Sequence, residues 1–455
     1  MKKIKSINPA TGELNEEFDH YSSQAVSEKL KISRKAFSDW KNESIDQRCS
    51  SIQEVAKVLR GNKKELAEII TNEMGKPIKE SIAEIEKCAW TCDYFSKNVE
   101  NFLEPEFVES DAKSSCYVFE PAGVVLSIMP WNFPFWQALR FGIPALAGGN
   151  TVLLKHASSV PMCALEIEKI FIKAGLPEGT YQTILVNGET ASSLIAKNEI
   201  NAVSFTGSRP AGEKVAQAAG GSIKKFILEL GGSDPFIVMD DADIPEAAKA
   251  AVTGRFQNCG QSCIAAKRLL INENVMDDFT ELFLKNIDDM KIGDPMDSDT
   301  DIGPMSSEKQ RQILDKQVTE SLRKGANVLL EGGMTDEDGF FYLPTVLNKI
   351  NREAPVVTEE TFGPVAPIIT FKDDNEAIKI ANNTEFGLGA SIWSRDQNRS
   401  MRVAKQVEAG VIAINSIVSS DPRLPFGGMK KSGVGRELSR IGMLEFMEVK
   451  SMKIY

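Results

Sequence analysis

Histidine is scarce in this sequence, which has 455 residues and only two histidines, His20 and His156. A catalytic triad built on histidine, or a histidine-rich metal site, is therefore not expected, and we predict no bound metal. Long hydrophobic runs are also missing, because no stretch reaches the roughly 18 apolar residues that a transmembrane helix needs. The opening MKKIKSINPATGE has no apolar segment after its lysines and does not predict a secretory signal.

An excess of positive charge is absent as well. The formal net charge is -11, which argues against a nucleic-acid or anionic-membrane partner. The negative net charge does not exclude an anionic small substrate, because a single arginine in a binding site can make the local charge positive. The 7 cysteines are odd in number and widely scattered, so they do not suggest a disulfide framework. A reducing cytoplasm is the simpler setting, and we expect a cytoplasmic protein.

The length allows two or three domains of roughly 100–200 residues each. The order of apolar segments predicts an α/β protein. Apolar residues recur at helical spacing in the first part of the chain. Farther on, short apolar runs alternate with helical segments, which is typical of parallel sheets covered by helices. The final KSMKIY reads as a strand that pairs with a hairpin near residue 115 or with another subunit. The first set of strands is predicted at 124–128, 151–155, 183–186, 202–205 and 226–230.

A glycine-bearing turn is the first candidate binding feature. Thr206, Gly207 and Ser208 directly follow an apolar strand, and Gly212 stands at the start of the next helix. Glycine lets backbone N–H groups approach a pyrophosphate, and a helix N-terminus favours its charge. Lys155 ends the strand TVLLK, where a lysine can bind ribose hydroxyls or phosphate. Each feature has a plainer alternative: a steric need for glycine, and an ordinary strand-end lysine.

Three further residues carry groups suited to acyl chemistry. Cys263 stands in a loop of FQNCGQSCIAAKR (256–268), and a helix N-terminus there would lower the pKa of its thiol. Glu229 ends an apolar strand beside two glycines, where burial would raise its pKa and suit a general base. Asn132, in PWNFPFWQALR, can donate to a developing oxyanion. The alternatives are an inert buried cysteine, a salt-bridged glutamate and a helix cap.

Taken in this order, the motifs resemble the aldehyde dehydrogenase family over essentially the whole chain. The resemblance rests on INPATGE, MGKP, PWNFP, LLKHAS, FTGS, LELGG, GQSC, EETFGP and PFGGMKKSGVGRE. It implies that Cys263 is the nucleophile, Glu229 the general base and Asn132 the oxyanion-hole amide. It also implies a nicotinamide cofactor, NAD or NADP, bound by Trp131, Lys155, Ser158, Gly207, Ser208, Gly212, Leu230, Glu360 and Phe362.

The chemistry implied by the resemblance is oxidation of an aldehyde to a free acid through a thioester on Cys263. The presence of Glu229 favours hydrolysis of that thioester over its release by coenzyme A. Glu437, in GRE, matches a position sometimes assigned to a proton relay. A non-enzymatic protein that reuses the fold would be free to lose Cys263, Glu229 or Asn132. All three are present, so an enzyme is expected.

Within the family, PWNFPFWQALRFG, GRFQNCGQSC and FGGMKKSGVGREL look most like the short succinate-semialdehyde dehydrogenases. Arg140 matches an arginine that binds the substrate carboxylate, a contact that suits a guanidinium. Ser420 matches a serine that assists it, and Trp136 is expected to line the same site. Some members carry a second arginine where this chain has Gln257, and Arg423 is a candidate substitute. The alternatives are an Arg140 that pairs with an acidic neighbour, and the same chemistry on glutarate semialdehyde, an aminoaldehyde or an aliphatic aldehyde.

Cofactor preference follows from the same resemblance. NAD-preferring members often carry glutamate where this chain has Ser158, and serine does not repel a 2′-phosphate, so both NAD and NADP are expected to work. Cys259 lies four residues before Cys263. Some relatives close a reversible disulfide near the nucleophile, although a small buried residue is the plainer interpretation.

The architecture that the resemblance implies has three parts and forms a homodimer or homotetramer through the smallest of them. The parts are a Rossmann-type nucleotide-binding domain (1–104 and 125–231), a second α/β catalytic domain (232–430) and a small β oligomerisation element (105–124 and 431–455).

Overall fold

The structure is a computed structural model, and it describes residues 3–336 and 338–455. No helix in these two ranges is both long and apolar enough to cross a bilayer. The strands of the described residues are β1 (Ile4–Ile7), β2 (Leu14–Phe18), β3 (Glu106–Phe107), β4 (Ser114–Pro121), β5 (Val124–Met129), β6 (Thr151–His156), β7 (Tyr181–Thr183), β8 (Ala202–Thr206), β9 (Lys225–Glu229), β10 (Asp234–Val238), β11 (Ala266–Asn272), β12 (Asn327–Leu330), β13 (Gly333–Met334), β14 (Tyr342–Leu343), β15 (Thr345–Asn348), β16 (Val365–Phe371), β17 (Gly389–Trp393), β18 (Val411–Ile414), β19 (Gly433–Val434) and β20 (Met447–Ile454).

Most of the described helices begin where the sequence supplies a side-chain cap or a proline. Ser44 and Gln47, for example, form a reciprocal capping box at the start of the second helix. The helices are α1 (Ser23–Trp40), α2 (Ile45–Gly61), α3 (Lys63–Met74), α4 (Ile78–Phe102), α5 (Pro134–Ala147), α6 (Pro161–Lys173), α7 (Gly188–Ile195), α8 (Arg209–Gly221), α9 (Ile244–Phe256), α10 (Met276–Asp288), α11 (Glu308–Arg323), α12 (Pro355–Thr358), α13 (Asp374–Asn382), α14 (Gln397–Ala404) and α15 (Ser439–Leu444).

The first large sheet has the order β19-β9-β8-β5-β6-β7 among the described residues. The strands from β9 to β7 are parallel, and β19 joins the edge antiparallel to β9. Every residue of β8 is buried, as expected for a parallel strand between layers of helices. Parallel strands bring their carboxyl ends to one edge of the sheet, so the segments that follow β5, β6, β8 and β9 converge there.

The second large sheet has the order β12-β15-β16-β11-β10-β17-β18 in the part of the chain that the structure describes. It is parallel apart from β12, which runs antiparallel to β15. Its central strand β11 is buried along its whole length. Because the loop between α9 and β11 contains Cys263, this sheet fixes the candidate nucleophile from one side.

The last strand returns to the middle of the chain. β20 pairs antiparallel with β4 from Met447↔Pro121 to Ile454↔Ser114, and β3 pairs with the other edge of β4. Of the two partners that the sequence left open for the C-terminal strand, the hairpin near residue 115 is the one observed. Val449 and Ile454 on β20 are largely exposed.

The α/β prediction is confirmed, with small shifts at the ends of elements. The strand predicted at 183–186 lies at Tyr181–Thr183. Ile184 still donates its N–H to Leu154, but the chain then turns toward α7, which Asn187 caps. The three-part domain division stays a prediction, and Gly433–Val434, inside the range assigned to the small element, adds to the first large sheet.

Candidate active site

The loop before the candidate nucleophile is tightly folded. Asn258 and Cys259 have φ values of 54° and 54°, and Gly260 follows at 70°. Left-handed backbone at residues other than glycine costs free energy and is retained where the surroundings enforce it. Here the Asn258 N–H donates to Glu80 Oε2 at 2.9 Å, and its side-chain amide donates to the Asn132 carbonyl at 2.8 Å.

Cys263 follows this loop and precedes a strand. The sequence-based expectation of a helix N-terminus at this cysteine is wrong, because the next regular element is β11. Burial raises the pKa of the Cys263 thiol to about 11, while the nearby cations Lys267 and Arg140 act to lower it. The resting thiol is therefore protonated at neutral pH and needs a base close by.

Glu229 is buried at the carboxyl end of β9, with 2% of its surface exposed. Its Oε1 has no hydrogen-bond partner among the described residues. Burial, and then the neighbouring Glu437, raise the pKa of this carboxyl well above its usual range, and Arg140 and Arg436 oppose them. A carboxyl in such a site can take a proton near neutral pH, as a general base must.

Asn132 lies in the segment that joins β5 to α5. Its side-chain amide donates to the Gln261 carbonyl at 3.1 Å, so the amide is held against the loop that carries Cys263. The side chain is 4% exposed. Glu84 accepts hydrogen bonds from the N–H groups of Phe135 and Trp136, at 2.9 Å each, and so fixes the start of α5 next to Asn132. A rigid amide at this place can donate to an oxyanion with little reorganisation.

A cavity of about 230 Å³ brings most of the predicted catalytic and cofactor residues together. The members of the predicted set that line it are Trp131, Asn132, Gly207, Ser208, Glu229, Leu230, Cys263, Glu360 and Phe362. Gly212 lies outside the lining but shapes it, because a Cβ at this position would come within 2.5 Å of Leu230 Cδ2. The ring of Trp131 meets the ring of Phe362 edge-on at 5.6 Å.

Two predicted cofactor residues lie beyond this cavity, at the carboxyl end of β6. Burial lowers the pKa of the Lys155 ammonium, which makes no hydrogen bond or ion pair with the residues that the structure describes. Ser158 lies exposed three residues farther on. A lysine amine without a protein partner, beside an exposed serine, fits the ribose and phosphate end of a dinucleotide.

The nicotinamide end of such a cofactor also has residues that fit it. Glu360 accepts from the Gly232 N–H at 3.1 Å. A Cβ at Gly231 would lie 2.2 Å from Glu360 Oε2, so the glycine is what lets this carboxylate approach the edge of the sheet. Lys267 was not identified from sequence, yet its ammonium lies 2.9 Å from Glu360 Oε1. Its signal in the sequence is weak, because a lysine within a strand is ordinary.

A second cavity, of about 270 Å³, shares the candidate nucleophile Cys263 with the first. All four predicted substrate residues line this second cavity: Trp136, Arg140, Gln257 and Ser420. Lys87, Glu80 and Glu84 of α4 add to the polar lining, and Phe133, Ile417 and Phe426 form part of the apolar wall. Sequence reasoning missed Lys87, since α4 lies far from the other site residues along the chain.

Arg140 is engaged by a carboxylate within the protein. Its Nε lies 2.5 Å from Glu437 Oε2, and both side chains are almost fully buried. The guanidinium also lies over the ring of Phe426, 4.7 Å from its centroid. The alternative interpretation of Arg140, an ion pair with an acidic residue, is therefore observed, although the partner Glu437 lies far along the chain. Arg140 still lines the second cavity.

Two other sequence-based suggestions lie outside the cavities. Arg423, the candidate substitute for a second arginine, is an exposed residue that pairs with Asp421 at 2.6 Å and does not line the second cavity. Cys259 is buried with its sulfur 4.0 Å from that of Met305, and both Cys259 and Cys263 are free thiols. A switch between these two cysteines stays untested.

The comparisons with known proteins agree with this geometry. A family model described as the aldehyde dehydrogenase family matches residues 1–452. The chain therefore belongs to the aldehyde dehydrogenase family. It is 45% identical over 451 residues to the probable NADP(+) succinate-semialdehyde dehydrogenase of Synechocystis sp., with 99% of each chain covered. It is 42% identical over 454 residues to NADP(+) succinate-semialdehyde dehydrogenase 1 of Mycobacterium tuberculosis, again with 99% of each chain covered.

Solved structures give the same result for the fold. The succinic semialdehyde dehydrogenase of Streptococcus pyogenes, in complex with NADP+, superposes with a TM-score of 0.97 at 35% identity, with 99% of each chain covered. The structure of Gox0499 superposes with a TM-score of 0.98 at 39% identity over the whole of both chains. The predictions of an aldehyde dehydrogenase fold and of an oxidoreductase of this family are confirmed. The roles of individual site residues remain predictions.

Proposed function

We propose that this protein oxidises succinate semialdehyde to succinate, with NADP or NAD as the electron acceptor and an acyl-cysteine as the intermediate. The observation that carries the proposal is the convergence of Cys263, Glu229 and Asn132 on one cavity. That cavity meets, at the same cysteine, a second cavity whose wall contains cationic side chains. Two relatives that the chain matches over nearly their whole length bear the name succinate-semialdehyde dehydrogenase.

The first chemical step is attack by the thiol. Cys263 gives its proton to Glu229, and the sulfur forms a bond to the aldehyde carbon. The negative charge that develops on the aldehyde oxygen is stabilised by the Asn132 amide and by the Cys263 backbone N–H. A bound nicotinamide cofactor would supply the acceptor for the hydride that leaves this carbon. The carbon–oxygen double bond then re-forms, and the chain holds a thioester on Cys263.

The second step is hydrolysis. Glu229, having returned its proton to solvent, takes a proton from water, and the water oxygen bonds to the acyl carbon. The carbon–sulfur bond breaks, the thiolate leaves, and the acid is released. The unpartnered Oε1 of Glu229 in the cavity suits this role, because the oxygen is free to accept a proton from water. Hydrolysis by a protein base makes a free acid the product.

The substrate carboxylate belongs, in this proposal, in the second cavity. Arg140 and Ser420 line that cavity with Cys263, and an aldehyde on the sulfur would direct its tail toward them. Arginine and a hydroxyl together are suited to a carboxylate. For the cofactor, the exposed Ser158 carries no charge that would repel a 2′-phosphate, so NADP and NAD should both be accepted.

The test is steady-state formation of NADPH and NADH with succinate semialdehyde, glutarate semialdehyde, hexanal and an aminoaldehyde. We expect succinate semialdehyde to lead in kcat/KM, and Arg140→Ala to lower that value more than the value for hexanal. Because Arg140 also pairs with Glu437, some loss on hexanal is expected as well. A lead for hexanal or the aminoaldehyde would leave the family assignment intact and refute the substrate.

We further propose that the chain self-associates through the sheet formed by β3, β4 and β20, as a homodimer or homotetramer, and works in the cytoplasm. The exposed Phe107, Val449 and Ile454 on this sheet support the first part. Light scattering on the native chain and on a Val449→Asp, Ile454→Asp double variant tests it. We expect a smaller particle for the variant, and an unchanged mass would contradict the proposed interface.

A further inference from the structure

The ammonium of Lys87 enters the second cavity from α4. It donates a hydrogen bond to Ser420 Oγ at 2.8 Å, across a long stretch of sequence. It also lies 4.4 Å above the centroid of the Trp136 ring. These contacts hold the ammonium at the wall of the cavity, between two residues that already belong to the predicted substrate set.

Lys87 has no carboxylate partner among the residues that the structure describes. The other ionised pairs around the cavity are internally balanced: Glu84 pairs with Lys76, and Arg140 pairs with Glu437. A half-buried cation without a counter-ion is costly unless a ligand supplies the charge. The carboxylate of a ligand in the second cavity would supply the negative charge that balances the Lys87 ammonium.

We propose that Lys87, together with Ser420, binds the terminal carboxylate of the aldehyde substrate and selects aldehydes that carry one. This proposal rests on the proposed function and adds the residue that sets its substrate class. Of the two cations in the wall, Arg140 already has its charge balanced by Glu437, whereas Lys87 does not. An ammonium can donate up to three hydrogen bonds, and Ser420 accepts one of them, so donors remain for a carboxylate.

The proposal has a consequence for pH. Burial, and then the nearby Arg140, lower the pKa of Lys87 to about 8. The charged or titratable groups that face it are Glu84 and Cys88 of α4, Arg140 of α5 and Asp421 beyond β18. As pH rises through this value the ammonium is lost, and KM for a carboxylated aldehyde should rise while KM for a neutral aldehyde stays flat.

The experiment compares kcat/KM for succinate semialdehyde with kcat/KM for butanal in native protein, Lys87→Met and Lys87→Arg. Lys97→Met, which removes an exposed lysine from the same helix, is the matched control. We expect Lys87→Met to reduce the ratio of the two values by about 10- to 100-fold, the usual range for a charge-assisted hydrogen bond. Lys87→Arg should recover part of it, and Lys97→Met should leave it unchanged. An equal loss on both aldehydes in Lys87→Met would overturn the proposal, because it would indicate only a packing role against Trp136.

A second measurement separates this proposal from the proposed function. Succinate is used as an inhibitor of butanal oxidation, which needs no carboxylate in the substrate. If native protein shows no preference for succinate semialdehyde, the proposed function fails, and the inhibition then decides the role of Lys87. An increase of about tenfold or more in the inhibition constant of Lys87→Met supports the carboxylate site, since it corresponds to the loss of a charged contact. An unchanged constant overturns it.

Discussion

Lys267 Nζ lies 2.9 Å from Glu360 Oε1, and the same ammonium donates to the carbonyl oxygen of Cys263 at 2.6 Å. One buried cation thus connects Glu360, the carboxylate expected at the nicotinamide ribose, with Cys263, the candidate nucleophile. It also lies 5.8 Å from the ring centroid of Phe362. The cofactor side and the thiol side of the site are therefore electrostatically coupled.

Replacing Lys267 with methionine should weaken cofactor binding and also hinder ionisation of the Cys263 thiol. We expect KM for the cofactor to rise about tenfold, because Glu360 loses the partner that orients it. The pKa of the Cys263 thiol should rise further, because Lys267 lowers it against the effect of burial. The pH dependence of iodoacetamide inactivation, measured without cofactor, reports the thiol. Lys267→Arg keeps the charge and should move the inactivation profile less, and superimposable profiles for native protein and Lys267→Met would contradict the coupling.

Glu229→Gln should separate acylation from hydrolysis. We expect one equivalent of NADPH per active site in a rapid burst, followed by turnover slowed by about 10²- to 10⁴-fold, the range for loss of a general base. Quenched-flow measurement of the burst and mass spectrometry of the acyl-enzyme provide the test. Steady turnover at the native rate would exclude Glu229 as the base for hydrolysis.

Glu437→Gln should shift the pH dependence of hydrolysis. Glu229 acts as a base only when deprotonated, and burial and the Glu437 carboxylate raise its pKa. The rate of hydrolysis therefore rises as pH rises through that value, and removing the neighbouring charge should move this rise to lower pH. Arg140, released from its ion pair, acts in the same direction. A buried arginine left without its partner also costs roughly 3–5 kcal/mol of stability, so thermal unfolding should accompany the rate measurement.

Asn132→Ala should slow chemistry with little effect on cofactor binding. The amide is held by the Gln261 carbonyl beside the nucleophile loop, and loss of one oxyanion donor costs about 10²- to 10³-fold in kcat. Fluorescence titration with NADPH should give a dissociation constant within a factor of about two of the native one. A kcat near the native value would remove Asn132 from the oxyanion hole.

Ser158→Glu should discriminate between the two cofactors. The position is exposed just after the carboxyl end of β6. A glutamate carboxylate there would repel the negatively charged 2′-phosphate of NADP, which NAD lacks. We expect kcat/KM for NADP to fall about 10- to 100-fold more than that for NAD. Ser158→Gln, of similar size without the charge, is the control. Equal losses with both cofactors would refute the role of this serine.

Sequence reasoning succeeded in bringing together candidate residues at the ends of strands. Gly207 and Asn132 follow strands of one parallel sheet and Glu229 ends another of its strands, so their convergence follows from the alternation of apolar runs. It failed locally at Cys263, where a helix N-terminus was offered for a loop that leads into β11. The pairing of β11 with β10 and β16 determines the conformation there.

What the sequence could not supply were the partners of the charged residues. Arg140 and Glu437, and Lys87 and Ser420, are separated by hundreds of positions, and no local period connects them. Tertiary packing alone decides whether a buried cation has a balancing carboxylate. Among the described residues, Arg140 has a balancing carboxylate in Glu437, whereas Lys87 has none.

The segment that encloses Glu229, the candidate general base, follows the last strand of the second large sheet. Gly433 pairs with Glu229, the Leu230 N–H donates to the Ser432 carbonyl at 2.8 Å, and Glu437 closes on Arg140. Domains fold progressively as a chain leaves the ribosome. A nascent chain that reaches only to residue 431 therefore contains the parallel strands of both large sheets, but it lacks the segment that encloses Glu229. The order of synthesis thus places completion of the site after the parallel strands of both large sheets.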